Sequence, residues 1–228
     1  MNDAEPTIVE HHLPVTRTAR YYTLGETSSP PASDMWVVCH GFAQLARAFI
    51  EEFRPLVRPG RLIVAPEALN RFYLNREGGR AGASARVGAT WMTREDRLAE
   101  IDDYVRYLDE LLLEVGGERR DGVRVTALGY SQGTATVARW LVQGKSKIDR
   151  VILWAGLLPP EIDPAGAARE RLSTTQLHFV RGTKDEMVSS VSLSEQRESV
   201  ARIGINVHAM EFEGGHRLDR DTLLKLGG

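Results

Sequence analysis

The chain has 228 residues, 42% of them hydrophobic and 26% charged, with a formal net charge of −2. These values are close to the usual ones for a soluble globular protein, and the length is comfortable for one domain with a single large core. The 29 Lys and Arg are balanced by 31 Asp and Glu and largely interleaved with them, so the chain lacks the basic field that a nucleic-acid partner requires. Its one cysteine, Cys39, rules out a framework of internal disulfides.

No run of about 18 apolar residues occurs, so no membrane span is expected. The start, from Met1 to Pro6, lacks the basic residues and apolar run of a secretory leader, and a cytoplasmic location is expected. Without an internal repeat or a linker, the chain reads as a single domain over 1–228, with residues 1–13 loose.

In chain order, Val15 to Leu24 is rich in Thr and Tyr and predicts one or two antiparallel strands at a sheet edge. Short apolar runs follow at Met35 to Cys39, Arg61 to Ala65, Val123 to Leu128, Val151 to Ala155, Leu177 to Val180 and Ile205 to Phe212. Runs of this length predict strands buried on both faces. Between them lie segments of helical period. Arg94 to Glu114 carries Leu98, Ile101, Val105, Leu108, Leu111 and Leu112 at spacings of three and four, and ends at Gly116-Gly117. Ser131 to Val142, Val188 to Ile203 and Asp219 to Leu226 are further helices, the last with Asp219 as N-cap. The stretch from about residue 70 to 93 is rich in Gly and Arg and aperiodic, and predicts an irregular excursion near the site. Strands alternating with helices imply an α/β domain, a mostly parallel sheet with helices on both faces and its site at the carboxyl ends of the strands.

The motifs fall at those ends. Gly129-Tyr130-Ser131-Gln132-Gly133 fits the pattern G-x-S-x-G between a predicted strand and a predicted helix. A serine on so tight a turn needs small residues two positions to either side, because strand and helix backbones pass close together. The pattern alone is weak, and a Gly-Ser loop is its bland alternative; the strand before it and the helix after it favour a nucleophile elbow. A serine nucleophile needs a general base oriented by a carboxylate, and on such a sheet the order along the chain is Ser, acid, His. His11, His12 and His40 precede Ser131, and His178 and His208 lie inside predicted strands, so His216, in the loop after the last strand, is the expected base. Asp185, just after the penultimate strand, is the expected acid, ahead of Glu186 and Asp163. For the oxyanion, the expected donors are the backbone amides of Phe42, after the first central strand, and of Gln132. His40 and Cys39 are read as a hydrogen-bonded structural residue and an inert buried thiol.

Together the residues HGF (40–42), APE (65–67), GATW (88–91), GYSQG (129–133), GTKDEMV (182–188) and GGH (214–216) resemble the carboxylesterase/phospholipase family of α/β-hydrolases, which includes the acyl-protein thioesterases. The resemblance runs from about Trp36 to His216. It implies the α/β-hydrolase fold with little or no lid. It also implies a Ser131–His216–Asp185 triad, oxyanion donors at Phe42 and Gln132, and small-molecule esters, acyl thioesters or lysophospholipids as substrates. The thioesterases continue HG with a further glycine and an acid, whereas this chain reads His40-Gly41-Phe42-Ala43-Gln44, and the segment from Leu69 to Arg97 also departs from their pattern. A general carboxylesterase for short- to medium-chain esters is therefore the leading expectation. An acyl-protein thioesterase or lysophospholipase, a serine peptidase and a catalytically silent binding module are the alternatives. Trp91 and Met92 are candidate linings of the acyl pocket, with plain core packing as the alternative. No metal or organic cofactor is called for; a homodimer is plausible by base rate only, and the sequence does not give the oligomeric state.

Overall fold

The computed structural model describes residues 7–25, 32–74, 82, 85–117 and 122–228. Seven strands form the main sheet: β1 (Tyr21–Gly25), β2 (Asp34–Cys39), β3 (Arg61–Pro66), β6 (Arg124–Tyr130), β7 (Arg150–Trp154), β8 (Gln176–Gly182) and β9 (Val207–Phe212). Their order across the sheet is β1-β3-β2-β6-β7-β8-β9. Only β1 runs antiparallel to its neighbour; the other pairings are parallel. The apolar runs become strands because both faces of the sheet are covered: every residue of β3 and β7 is buried, as are five of the six in β2.

Alternation along the strands divides the core in two. Met35, Val37 and Cys39 of β2 face a layer with helices α2 (Arg97–Gly116), α3 (Gln132–Gln143) and α5 (Ser190–Arg202). Trp36 and Val38 face the opposite layer with helix α1 (Ala46–Phe49), the 3₁₀ segment Ile50–Leu56 that continues it, and helix α6 (Arg220–Gly227). Asp219 caps α6 as expected, accepting from the Thr222 amide at 3.1 Å and its hydroxyl at 2.8 Å. That is worth about 1 kcal/mol to a short helix. No helix among the described residues is long and apolar enough to cross a membrane.

The structure corrects several local expectations. The N-terminal segment forms one strand, Tyr21–Gly25, with residues 15–20 outside the sheet. The excursion at 70–93 is not wholly irregular: strands β4 (Asn70–Tyr73) and β5 (Val87–Thr90) pair antiparallel as a small ribbon. Their pairing joins segments far apart along an aperiodic stretch, so no local pattern marks it. Much of the connection between them, and residues 1–6 of the segment expected to be loose, lie outside the described residues. Helix α2 begins at Arg97 rather than Arg94, and Leu98 is 70% exposed, off the buried stripe of Ile101, Val105, Leu108, Leu111 and Leu112. Helix α1 with its 3₁₀ extension, and the short helix α4 (Arg169–Ser173), were not expected from the sequence.

Candidate active site

Ser131 stands at the end of β6 as α3 begins, with φ 53° and ψ −116°. A non-glycine residue with this backbone is strained by about 1–3 kcal/mol and persists only where its surroundings enforce it. The surroundings here are explicit. A Cβ on Gly129 would collide with the backbone of Gly133, and a Cβ on Gly133 with the carbonyls of Cys39 and His40. The two glycines thus let β6, α3 and the end of β2 close on one another, and the Ser131 amide is held by the Trp154 carbonyl at 2.9 Å. The Ser131 hydroxyl has no hydrogen-bond partner among the described residues.

Asp185 follows β8, with its carboxylate fully buried. Its Oδ1 accepts from the amides of Met187 at 2.9 Å and Val188 at 3.2 Å. Its Oδ2 lies 2.9 Å from His216 Nδ1. Because an ionised carboxylate only accepts, Nδ1 carries the proton, leaving Nε2 of the neutral ring as an acceptor. The His216 side chain is 24% exposed, so one edge of the ring meets solvent. Its loop is fastened at three carbonyls: Gly214 accepts from the Lys184 amide at 2.8 Å, His216 from the Tyr130 hydroxyl at 2.8 Å, and Arg217 from the Trp154 indole at 2.9 Å. A Cβ on Gly182 would strike the carbonyls of Gly214 and Gly215, so this glycine lets the acid and histidine loops meet.

The segment after β2 passes beside the serine: a Cβ on Gly41 would lie 3.3 Å from Ser131 Cβ. Neither the Phe42 amide nor the Gln132 amide donates to an acceptor among the described residues; Gln132 opens α3, where helix amides lack internal partners. The two donors are tied together through β5. The Ala43 amide donates to Ala89 at 2.9 Å, and the Ala89 amide returns a bond to Gln44 at 3.1 Å. On the other side, the Gln132 carboxamide donates to Thr90 Oγ1 at 2.8 Å and to the Met92 carbonyl at 3.1 Å, and accepts from the Trp91 amide at 3.2 Å. Gly88 makes the close approach feasible, since a Cβ there would lie 2.5 Å from the Ala43 carbonyl oxygen.

His40 is wholly buried. It accepts from the Ala68 amide at Nε2, 3.1 Å, so its Nδ1 carries the proton and donates to the Gly41 carbonyl at 2.8 Å. Burial lowers its pKa, against the upward pull of that carbonyl and of Glu67, and the ring stays neutral as a strut for the segment after β2. Cys39 is buried, and burial pushes its thiol pKa up.

Trp91 is 1% exposed and belongs to the core, with its indole N–H on the His40 carbonyl at 2.9 Å. Its ring lies 5.2 Å from that of His40 and edge-on to Tyr104 at 6.1 Å. It also contributes to the wall of a groove of about 620 Å³ between residues 15–21 and α2, which none of Ser131, Asp185 and His216 lines. Met92 is half-buried, with its sulfur 3.3 Å from Arg139 Nη1. Sequence reasoning missed the Tyr130 hydroxyl, the Gln132 carboxamide and the Trp91 indole as supports of the site; each reaches a partner 40 or more residues away, beyond any spacing rule. For a metal, the described residues offer one cluster, Glu10, His12 and Asp96, all exposed and separate from Ser131, Asp185 and His216.

No protein-family model matches the sequence, and comparison with curated proteins finds no match. Solved structures do match. The chain is similar to esterase PE8 at 20% identity and a TM-score of 0.67, covering 92% of this chain and 97% of that one. It is similar to Zea mays acyl-protein thioesterase 2 at 17% identity and a TM-score of 0.68, covering 92% and 96%. For the Bacillus cereus carboxylesterase the values are 15% and 0.63, covering 92% of each chain. With the strand order, the antiparallel edge strand and the strained turn between β6 and α3, these likenesses identify the architecture: the chain has the α/β-hydrolase fold.

Proposed function

We propose that this protein is a serine hydrolase of carboxylic esters, with Ser131 as nucleophile, His216 as general base and acid, and Asp185 as the carboxylate that orients His216. The observation that carries the reading is the backbone of Ser131, a strained serine enforced by two sterically required glycines at the mouth of a helix. In the proposed cycle Ser131 Oγ attacks the ester carbonyl as His216 Nε2 takes its proton. The amides of Phe42 and Gln132 hold the oxyanion. His216 then protonates the leaving alcohol, and water activated by His216 releases the acid from the acyl-enzyme. The proton transfers involve only Ser131, His216, the substrate and water, so the cycle calls for no cofactor.

Apolar surface beside these groups supports an uncharged acyl or alcohol part in the substrate. The Phe42 ring is 58% exposed and lies 5.3 Å from that of Phe72, and Met187, two residues beyond Asp185, is exposed. Met92 is the better of the two candidate pocket linings, since Trp91 is taken up by the core. The likeness to a maize acyl-protein thioesterase keeps thioesters as the second reading.

The deciding experiment is hydrolysis of p-nitrophenyl acetate, butyrate, octanoate and palmitate by the wild type and by Ser131→Ala, with fluorophosphonate labelling of both. Turnover strongest on the short chains, with kcat lower by roughly 10⁴–10⁶ in the variant, supports the ester reading. A preference for palmitate, or for a long-chain acyl thioester, moves the second reading to the front. No turnover and no labelling in either protein overturns both and favours a silent binding module.

A further inference from the structure

Arg181 is the one charged residue in β8, in a strand whose Leu177, Phe179 and Val180 are core. A guanidinium taken out of water is costly unless its donors are spent on partners. This one is 5% exposed. Its Nη1 donates to the Val188 carbonyl at 2.9 Å and its Nη2 to the Thr183 carbonyl at 3.2 Å. Its Nε makes no hydrogen bond among the described residues and lies at ion-pair distance, 3.0 Å, from Glu211 Oε1, on the residue directly across the ladder in β9.

Thr183 and Val188 bracket Asp185, and the Val188 amide is itself one of the two donors to the Asp185 carboxylate. Glu211 stands near the end of β9, whose exit leads through Gly214-Gly215 to His216. One planar cation therefore grips both ends of the acid loop and reaches toward the strand that delivers the histidine.

Resting on the triad reading above, we propose that Arg181 is a positioning residue for that reaction, one that sets the alignment of Asp185 with His216 Nδ1 by spanning the loop from Thr183 to Val188. An ammonium on a flexible stem cannot span the same two carbonyls in one plane, so lysine replaces the charge and loses the geometry.

The test uses Arg181→Lys and Arg181→Met in the full chain, with competent sites counted by fluorophosphonate titration. The expected result is a fall in kcat per titrated site of about 10- to 100-fold, the scale of an ångström-sized misplacement, with KM nearly unchanged and Lys losing less than Met. The acid limb of the kcat/KM profile is expected to move to lower pH, because a loosened Asp185 stabilises the His216 imidazolium less. Glu211→Gln, at the half-exposed end of the contact, is expected to shift both readouts in the same direction by less, and it carries the test with Arg181→Lys if Arg181→Met does not fold. An unchanged kcat per site and an unchanged acid limb, with only a lower melting temperature, would overturn the proposal and leave Arg181 a folding residue. Proton NMR of the His216 Nδ1–H separates the two readings: wild type without ester turnover sinks the function, whereas an identical downfield resonance in wild type and variants sinks the role of Arg181.

Discussion

The Tyr130 hydroxyl donates to the His216 carbonyl at 2.8 Å, and the two rings lie 5.3 Å apart. The residue just before Ser131 thus fastens the loop that carries His216. Burial, with Asp185 and Glu52 nearby, pushes the Tyr130 pKa up to about 12, so the phenol stays protonated and keeps donating well above neutral pH. Tyr130→Phe keeps the ring and removes the bond. The expected result is a loss of about 1 kcal/mol in stability and a several-fold fall in kcat with little change in KM, read by urea unfolding and steady-state kinetics. Unchanged kcat would mean that the Trp154 and Lys184 anchors suffice.

Gln132 serves the site twice, by its amide and by its side chain. Gln132→Ala retains the amide but cuts the carboxamide bonds to Thr90, Trp91 and Met92. A fall in kcat of about tenfold is expected, smaller than the 10²–10³ that follows loss of a whole oxyanion donor. Stopped-flow acylation by p-nitrophenyl butyrate would locate the defect in the acylation step.

Gly133→Ala probes the elbow itself. The added methyl meets two backbone carbonyls, which cannot rotate away as a side chain could. A destabilisation of about 3 kcal/mol or more is expected, with activity lost in proportion to displacement of Ser131. Thermal unfolding and fluorophosphonate labelling measure the two effects separately; wild-type values in both would refute the steric account.

His178 and His208 are cross-strand partners in β8 and β9 with rings stacked 4.7 Å apart. Burial, helped by Arg150, His208 and Arg124, lowers the His178 pKa to about 4, and its Nε2 has no partner among the described residues. The unfolded chain, with a histidine pKa near 6.5, binds this proton more readily than the folded one. Stability should therefore rise with pH between about 4 and about 6.5 and level off above that window. Allowing for the ring's partial exposure, the contribution is on the order of 1–2 kcal/mol. In urea unfolding at a series of pH values, His178→Leu should show a shallower loss than wild type below pH 6.5; parallel curves would remove His178 from the account.

What could be read from the sequence follows the range of each interaction. Strands β2, β3, β6 and β7 are legible because burial on both faces writes a continuous apolar run into a few neighbouring residues. The tight turn at Ser131 is legible because it demands Gly129 and Gly133 at fixed offsets, and chain order singles out Asp185 and His216 as candidates, which the structure brings to 2.9 Å. The ribbon of β4 and β5 leaves no local signature. Nor do the hydrogen bonds of Trp91 and Tyr130, which depend on carbonyls delivered from other strands and loops. Leu98 shows the converse: it fits the helical period and still faces solvent, because α2 meets the sheet through a narrower stripe.

The single thiol, Cys39, closes β2 with no exposed surface, beneath the carbonyl that Gly133 approaches. Thiol-directed reagents should leave the folded chain untouched, and oxidants have no second cysteine in it to join to Cys39. The same seclusion makes Cys39 a native clock: a disulfide reagent can reach it only when the centre of the sheet comes apart, so its labelling rate in plain buffer times the opening of the whole domain.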